Sequence, residues 1–435
     1  MSKIVPVWFD AFHVGDVIAG EDGTLGFSYT EAWLKTRNAF PLSLRLPLKA
    51  TVYPHEIIFP WLSNLLPEGE QFSLLTRSIG LNHTDALAIL SEIGGDTAGA
   101  LSFEIPSNRA VWTYMPLTEF YRINDYQAAL EKHFEDLQWR PFLVGEEGVR
   151  LSLAGGQRKS ALAVLDSNGS PVIRLPEDGD ILAIPHHGAP STVILKLDNP
   201  NLPGIVENEI YCLRLAQAVG IASAEATALP AGSRNAICVL RYDRRIGGTG
   251  EIQRVHQEDF AQANSVLPKR KYERGLVAGP DIATLLGTGR GLPSTDALSL
   301  LDQFIFNILI ANTDAHAKNY SLLLPVGARP RLAPLYDVST ALPWPFVVRY
   351  FAQNIAGKKR KPEDIAAHHW DAIAEAIGYR LADVRKRVKE LVHGIGVNHV
   401  PVAKTVESFP RVVSGYVEEV ATLIRENTLR IAGRL

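Results

Sequence analysis

Length, composition and charge describe a globular protein with more than one domain. The chain has 435 residues, of which 46% are hydrophobic and 21% are charged, so we expect two or three domains rather than a single core. The net charge of −3 gives no support for non-specific nucleic-acid binding by the whole chain. Cys212 and Cys238 lie in apolar stretches and are expected to be buried reduced thiols, which excludes a disulfide framework or a cysteine-based zinc site.

The sequence carries no targeting or membrane pattern. The N-terminus lacks a basic segment followed by an apolar one, and no apolar run approaches the ~20 residues that span a bilayer. We therefore predict a cytoplasmic protein without a membrane partner.

The first part of the chain, residues 1–110, is predicted to form a small α+β unit. Short alternating or apolar segments separated by Gly and Asp clusters, such as residues 20–23, are typical of hairpins. Helical patterns follow around 58–66, 72–79 and 87–93. No catalytic constellation is evident in this part.

The second part, residues 111–245, contains a glycine turn between two predicted strands. Gly155 and Gly156 allow the backbone to approach a ligand closely and turn amide groups toward an anion, but the same residues suit an ordinary hairpin. Lys196 ends a β-branched run at 191–197. It is either a solvated edge residue or the lysine that contacts nucleotide phosphates in kinase-like proteins.

Two further features of the second part also have two interpretations. In the predicted helix 207–219, Glu209 is a first-turn carboxylate favoured by the helix dipole, or else it pairs with Lys196. The apolar strand that begins at residue 236 ends in the charged run 241–245. That run suits a hinge whose backbone contacts adenine, or it is a strand end with solvated charges.

The third part, residues 246–435, is dominated by amphipathic helical patterns, among them 294–311, 381–394 and 413–432. A strand-rich first half followed by a helix-rich second half predicts a two-lobed α+β fold with an all-helical C-terminal lobe.

A polar motif follows the apolar run 304–311. Asp314, Asn319 five residues later, and Asp337 after a short insert have the order found in kinases. There the first Asp receives the proton of the substrate hydroxyl, and the Asn and second Asp hold magnesium. The alternative is an Asx-rich turn that closes a helix with local hydrogen bonds.

Several linked motifs resemble the HipA family, the serine/threonine-kinase toxins of bacterial HipBA toxin–antitoxin pairs. They cover nearly the whole chain in one order: LSNLLPEGEQ (62–71), LSEIGGDTAGAL (90–101), LSLAGGQRKSALAV (151–164), VILKL (193–197), ENEIYCLRLAQAVGI (207–221), VLRYDRR (239–245), HQEDFAQ (256–262), TDAHAKN (313–319) and LAPLYDVSTA (332–341). The resemblance implies a HipA-like, protein-kinase-like fold.

The resemblance also implies roles for individual residues. Asp314 is expected to be the catalytic base, and Asn319 and Asp337 to bind Mg²⁺. The expected ATP-binding residues come from the phosphate loop, the strand lysine, the hinge and the polar motif: Ser152, Leu153, Ala154, Gly155, Gly156, Gln157, Lys159, Lys196, Leu240, Tyr242, Asp243 and His316.

Ser152 is also the expected site of an autophosphorylation that switches the enzyme off, because a phosphate of about −1.5 to −2 charge would repel ATP from the loop. Two positions depart from the family pattern. Arg158 follows the loop glycines and can change how the loop docks, and Leu240 can offer adenine only its backbone groups.

The function that follows is an ATP- and Mg²⁺-dependent protein serine/threonine kinase acting as a toxin. The resemblance implies inhibition of translation by phosphorylation of an aminoacyl-tRNA synthetase or a similar target. It also implies a small helix-turn-helix antitoxin of the HipB type, through which operator DNA is bound. Two alternatives remain: a catalytically silent ATP-binding corepressor, and a kinase for a small molecule or lipid, since the Asp-x-His-x-x-x-Asn order also resembles lipid kinases.

Overall fold

The computed structural model describes residues 3–273, 278–412 and 415–435. The chain divides into two units. The first contains Met1–Leu197, Pro230–Pro268 and Leu323–Arg329, and the second contains Asp198–Leu229, Lys269–Leu322 and Pro330–Leu435. The three-part division predicted at residues 110 and 245 stays a prediction.

Strands concentrate in the first 260 residues of the chain and long helices in the remainder. The strands are β1 (Lys3–Phe9), β2 (Phe12–Ala19), β3 (Leu25–Tyr29), β4 (Val52–Tyr53), β5 (Leu101–Phe103), β6 (Thr113–Pro116), β7 (Lys159–Leu165), β8 (Pro171–Val172), β9 (Ile181–His186), β10 (Val193–Leu197), β11 (Ala226–Ala231), β12 (Arg234–Leu240), β13 (Arg244–Ile246), β14 (Ile252–Arg254), β15 (His256–Asp259), β16 (Ser321–Leu324) and β17 (Arg331–Leu332). The helices are α1 (Glu31–Lys35), α2 (His55–Ser63), α3 (Gly69–Ile79), α4 (Ala86–Ile93), α5 (Leu117–Tyr121), α6 (Tyr126–Asp136), α7 (Ile205–Ala218), α8 (Phe260–Ala263), α9 (Ile282–Thr288), α10 (Ser294–Leu309), α11 (Ala367–Ile377), α12 (Leu381–Glu407) and α13 (Tyr416–Ala432).

Two antiparallel sheets form the framework of the first unit. The N-terminal sheet has the order β4-β3-β2-β1-β5, and alternation along its strands, as at Val5 and Val7, directs apolar side chains into one core with α2 and α4. The second sheet has the order β11-β12-β10-β7-β9-β6, with β8 beside β7. In this sheet Lys196 of β10 lies opposite Lys159 of β7, which places the two lysines on one face.

The second unit is built around α12. This helix packs against α7, α10, α11 and α13, and its buried residues Val384, Val388 and Leu391 recur at the spacing of one helical face. Helix α10 is buried along most of its second half, and its end determines where the polar motif 313–319 begins.

The predicted α+β class and the helical C-terminal end are confirmed. The term all-helical needs a correction, because the short strands β14 to β17 follow residue 246. The helix predicted at 207–219 begins at Ile205, so Glu207 and not Glu209 is its first-turn carboxylate. For the last helix, predicted over 413–432, residues 413–414 lie outside the described ranges and α13 covers Tyr416–Ala432.

Two smaller expectations can be compared with the structure directly. Cys212 and Cys238 are free and fully buried, as predicted, and burial raises the pKa of both thiols. Among the described residues, no helix has the length and apolar character to cross a membrane.

Candidate functional site

The glycine turn that follows residue 150 is a loop packed onto other segments of the first unit. Leu151 pairs in parallel with Asp96, and Gly155 pairs in parallel with Pro67. The Ser152 amide donates to the Asp96 carbonyl at 3.1 Å. A simple hairpin would bond mainly to itself, so this segment is a docked loop rather than a hairpin turn.

Gly155 is required by the conformation of this loop. Its φ is +98°, where side chains other than glycine are strained, and an added Cβ would lie 2.8 Å from Nζ of Lys159. That ammonium group donates to the carbonyl of Ala154 at 2.7 Å. The lysine therefore folds back over the loop backbone.

Ser152 is inaccessible in this arrangement. Its side chain is fully buried, and Oγ donates to the carbonyl of Leu65 at 2.8 Å. Its neighbour Leu153 is also buried, and Gln157 ties the far end of the loop to β10 by donating to the Leu197 carbonyl at 3.1 Å. Phosphorylation of Ser152 therefore requires the loop to leave this position.

The lysine pair beside the loop concentrates positive charge. Lys159 and Lys196 lie opposite one another in the β7–β10 register, and Lys196 is 8% exposed. The register therefore places two cationic side chains side by side on one face of the sheet, next to the loop.

Residues of the predicted hinge belong to a group of buried charged side chains. We call this group the buried ion cluster: Asp96, Arg241, Asp243, Arg244 and Arg254. All five are at most 5% exposed. The Asp243 carboxylate accepts from Nε of Arg241 at 2.9 Å and from the Gly99 amide at 2.8 Å. Leu240 and Tyr242 flank the start of this cluster and are only partly buried.

The sequence did not predict that these five side chains form one cluster. Asp96 lies about 145 residues from Arg241 and Arg244, and no local pattern pairs them. The run 241–245 was the available signal, because four charged residues after an apolar strand need partners if they are buried. In the structure, the Asp243 carboxylate therefore accepts hydrogen bonds from guanidinium and amide groups of the first unit.

In the second unit, the residues that follow α10 hold the start of the polar motif in place. Ala311 has φ +58°, and the Asn312 side chain donates to Oδ1 of Asn307 at 2.8 Å. Oδ1 of Asn312 accepts the Asp314 amide at 3.1 Å. Asn312 thus makes the Asx turn, and the Asp314 side chain is the exposed one within residues 311–320.

Asn319 connects the other two residues of the motif. Its Nδ2 donates to the carbonyl of Asp314 at 2.9 Å and to that of Asp337 at 3.5 Å. Asp337 has φ +55°, a conformation that costs a residue other than glycine about 1 kcal/mol or more and is frequent at functional sites. The side-chain amide of Asn319 thus connects the backbone of Asp314, five residues before it, with that of Asp337, 18 residues after it.

This arrangement fits a magnesium ion. Because Nδ2 of Asn319 donates to the two backbone carbonyls, Oδ1 is the side-chain atom suited to a cation, and the carboxylate of Asp337 is the second candidate ligand. Within the described ranges no group of three or more His, Cys, Asp or Glu could hold a metal. Mg²⁺ commonly uses only one or two protein carboxylates together with phosphates and water, so a two-ligand site is sufficient.

His316 is a neutral, nearly buried imidazole in this motif. Burial lowers its pKa well below the usual value, and Lys271 and Lys318 lower it further, against an opposing effect of Asp337. Its Nδ1 is buried and has no hydrogen-bond partner among the described residues. An unsatisfied buried ring nitrogen is unusual and is consistent with a contact to a bound group.

The predicted site residues thus form two sets. The loop, lysine and hinge residues lie in the first unit, and Asp314, His316, Asn319 and Asp337 lie in the second.

Comparisons with known proteins agree with one family over most of the chain. The model of the HipA-like C-terminal domain matches residues 151–398, and that of the HipA N-terminal domain matches residues 5–104. "Putative kinase Y4mE" of Sinorhizobium fredii is 36% identical over 391 residues, 90% of this chain and 89% of that protein. The serine/threonine-protein kinase toxin HipA of Shewanella oneidensis is 30% identical over 345 residues, 75% of this chain and 73% of that protein.

The fold is also similar to that of a solved structure from the same family. A chain in the solved complex of Shewanella oneidensis HipA, HipB and operator DNA matches with a TM-score of 0.80 at 24% identity, covering 99% of this chain and 97% of that chain. The C-terminal family model alone covers more than half of the sequence. The chain therefore belongs to the HipA family of kinase toxins.

Proposed function

We propose that this protein is an ATP-dependent protein serine/threonine kinase that acts as the toxin of a bacterial toxin–antitoxin pair. The observation that carries the proposal is the junction at Asn319, whose amide group bonds to the backbone of both Asp314 and Asp337. This junction leaves one exposed carboxylate and one oriented amide oxygen, as phosphoryl transfer requires.

Asp314 acts as the base in this proposal. Its carboxylate is exposed, so it can accept the proton of an incoming serine or threonine hydroxyl while that oxygen attacks the γ-phosphorus of ATP. The bond to the β-phosphate breaks and ADP leaves. Asn312 makes the structural turn, so the Asp314 side chain is not required for packing.

Oδ1 of Asn319 and the carboxylate of Asp337 are the groups that would hold the metal. Bound there, Mg²⁺ would neutralise charge on the transferring phosphate. The bonds of Tyr336 Oη to the Lys318 carbonyl and to the Ser321 hydroxyl, both 2.6 Å, hold the residue before Asp337 against the polar motif.

The nucleotide residues are those of the loop, the sheet and the hinge. Lys159 and Lys196 face the phosphates, and amide groups of residues 153–157 cradle them. The backbone groups of Leu240 and Tyr242 contact adenine. Asp243 contributes indirectly, because its contacts in the buried ion cluster fix the hinge backbone. His316 is the ATP contact proposed within the polar motif.

Phosphorylation of Ser152 switches the enzyme off. In the docked loop its Oγ donates to a buried carbonyl, and a phosphate can neither donate there nor be buried without a counter-charge. The modified loop must therefore stay undocked, which removes the cradle for ATP.

The toxin role and the partners follow from family membership. A small helix-turn-helix antitoxin of the HipB type neutralises the protein in the cytoplasm and contacts operator DNA, as the complex of the Shewanella relative suggests by analogy. The protein substrate belongs to the translation machinery, with an aminoacyl-tRNA synthetase as the leading candidate.

The test is phosphate transfer from labelled ATP after phosphatase treatment of the purified protein. The wild type should label the peptide that contains Ser152, Asp314→Ala should abolish labelling, and Ser152→Ala should remove label from that peptide. Asp383→Ala, at an exposed position of α12, is the matched control and should label normally. Transfer at the wild-type rate by Asp314→Ala would show that the base is another residue.

A further inference from the structure

The phenol of Tyr272 is bonded to the carboxylate assigned as the base. The Tyr272 hydroxyl donates to Oδ1 of Asp314, and its ring meets that of His316 edge to face, with centroids 4.9 Å apart and planes at 87°. All three residues belong to the second unit. The Asp314 carboxylate therefore already accepts a hydrogen bond from a hydroxyl group of the protein's own chain.

Backbone contacts hold this tyrosine on both sides. The Ala317 amide donates to the Lys271 carbonyl at 3.1 Å, and the Glu273 amide donates to the Ala352 carbonyl at 3.0 Å. The Glu273 carboxylate accepts the amide and the side chain of Asn354, each at 2.8 Å. The backbone on both sides of Tyr272 is thus held in place, and its ring packs against that of His316.

A general base must lie within hydrogen-bond reach of the hydroxyl proton that it receives. The hydroxyl of Tyr272 occupies that position relative to Asp314, and it uses the donor–acceptor geometry that a substrate serine would use. A substrate hydroxyl that approaches Oδ1 of Asp314 therefore competes with the Tyr272 hydroxyl for that oxygen.

We propose that Tyr272 fills the acceptor-hydroxyl site of this kinase, so that a protein substrate must displace it before transfer. This inference rests on the function proposed above, with Asp314 as base. Blocking the acceptor site differs from a positioning role. In a positioning role, Tyr272 would hold Asp314 in its productive orientation, and loss of the hydroxyl would slow the chemical step.

The test compares Tyr272→Phe with the wild type. Phenylalanine keeps the ring against His316 and removes only the hydroxyl. The acceptor is a synthetic peptide with the sequence of residues 147–160 (EGVRLSLAGGQRKS), and kcat and KM for this peptide are measured with labelled ATP and Mg²⁺. Tyr379→Phe, in the segment after α11, is the matched control, and Asp314→Ala gives the blank.

The expected result is a KM for the peptide about tenfold lower in Tyr272→Phe, with kcat not reduced. A hydrogen bond to a charged group contributes about 1.5 kcal/mol or more, which corresponds to about a tenfold change. ATP hydrolysis without peptide, in which water is the acceptor, should rise in the same variant. Tyr379→Phe should behave like the wild type in both assays.

Two results would overturn the inference while leaving the kinase assignment intact. A lower kcat at unchanged KM would make Tyr272 a positioning residue, and unchanged peptide kinetics together with unchanged hydrolysis would show that the phenol does not occupy the acceptor site. Absence of transfer by every variant, including the wild type, would instead reject the proposed function itself.

Discussion

Asp96 lies at the centre of the buried ion cluster, and its replacement by asparagine should destabilise the first unit. Its Oδ1 accepts from Arg244 at 2.8 Å and from Arg254 at 2.9 Å. Its Oδ2 accepts from the hydroxyl of Ser191 at 2.6 Å and from the amide of the same residue at 3.1 Å. Asparagine preserves the shape of the side chain, so the substitution removes charge with little change in volume.

The size of the effect follows from the charges that remain. Burial alone would raise the pKa of Asp96, but the guanidinium groups of Arg244, Arg254 and Arg241 hold it well below its usual value. Without the Asp96 charge, three buried guanidinium groups would share the single carboxylate of Asp243. Breaking a buried ion pair by removing one partner costs about 3–5 kcal/mol, a large part of the roughly 5–15 kcal/mol stability of a typical protein.

Urea unfolding followed by tryptophan fluorescence measures this loss, because five of the seven tryptophans lie in the first unit. With a slope of about 2–3 kcal/mol per molar urea, the midpoint should fall by roughly 1–2 M. The control is Asp383→Asn, which breaks an ion pair with Arg380 that is largely exposed and contributes at most about 1 kcal/mol. A midpoint shift for Asp96→Asn no larger than that of the control would refute the reasoning.

Three further variants test other parts of the structure. Burial raises the pKa of Glu258 to about 8, so the folded state retains a proton that the unfolded state releases near pH 4.5. Stability should therefore fall between about pH 4.5 and 8, by up to about 1.4 kcal/mol per pH unit, and Glu258→Gln should flatten this dependence in urea titrations at pH 5, 7 and 9. Parallel profiles for the two proteins would contradict this. Gly155→Ala, which places a Cβ 2.8 Å from a lysine ammonium group at positive φ, should weaken calorimetric binding of ATP about tenfold. Gly156→Ala, whose Cβ would meet only a carbonyl oxygen at 3.8 Å, should leave binding nearly unchanged, and equal losses in both would disprove the strain argument. Ser152→Asp should undock the loop and accelerate its limited proteolysis, whereas the exposed control Ser167→Asp should not; equal cleavage would show that burial of the hydroxyl does not hold the loop.

Much of the fold could be predicted because its signals are local. The predicted helical patterns around 58–66, 72–79 and 87–93 correspond to α2, α3 and α4, since the period of apolar residues and the glycines that end helices both lie within a few residues. The helix at Ile205 was placed two residues late, because its N-cap is Gly204, which lacks the side-chain capping signal that usually marks a start.

The parts that the sequence did not predict depend on contacts between distant segments. Burial of Ser152 depends on the carbonyl of Leu65, 87 residues away, and the bond from Tyr272 to Asp314 spans 42 residues. Neither a carbonyl group nor a lone tyrosine has a sequence pattern that identifies its partner. The sequence motifs could therefore identify the candidate residues, but not their burial or the hydrogen bonds that they form in the fold.

The polar motif after α10 shows why its two interpretations could not be separated from sequence alone. An Asx turn and a catalytic carboxylate both predict Asp and Asn residues at the end of a helix, and the structure contains both. Asn312 makes the turn, by accepting the Asp314 amide at 3.1 Å, while Asn319 donates to the Asp314 carbonyl at 2.9 Å. The backbone of Asp314 is thus held at both ends by the side chains of Asn312 and Asn319. That division explains how a carboxylate can remain exposed within an otherwise buried stretch, which is the condition that a base for an incoming hydroxyl must meet.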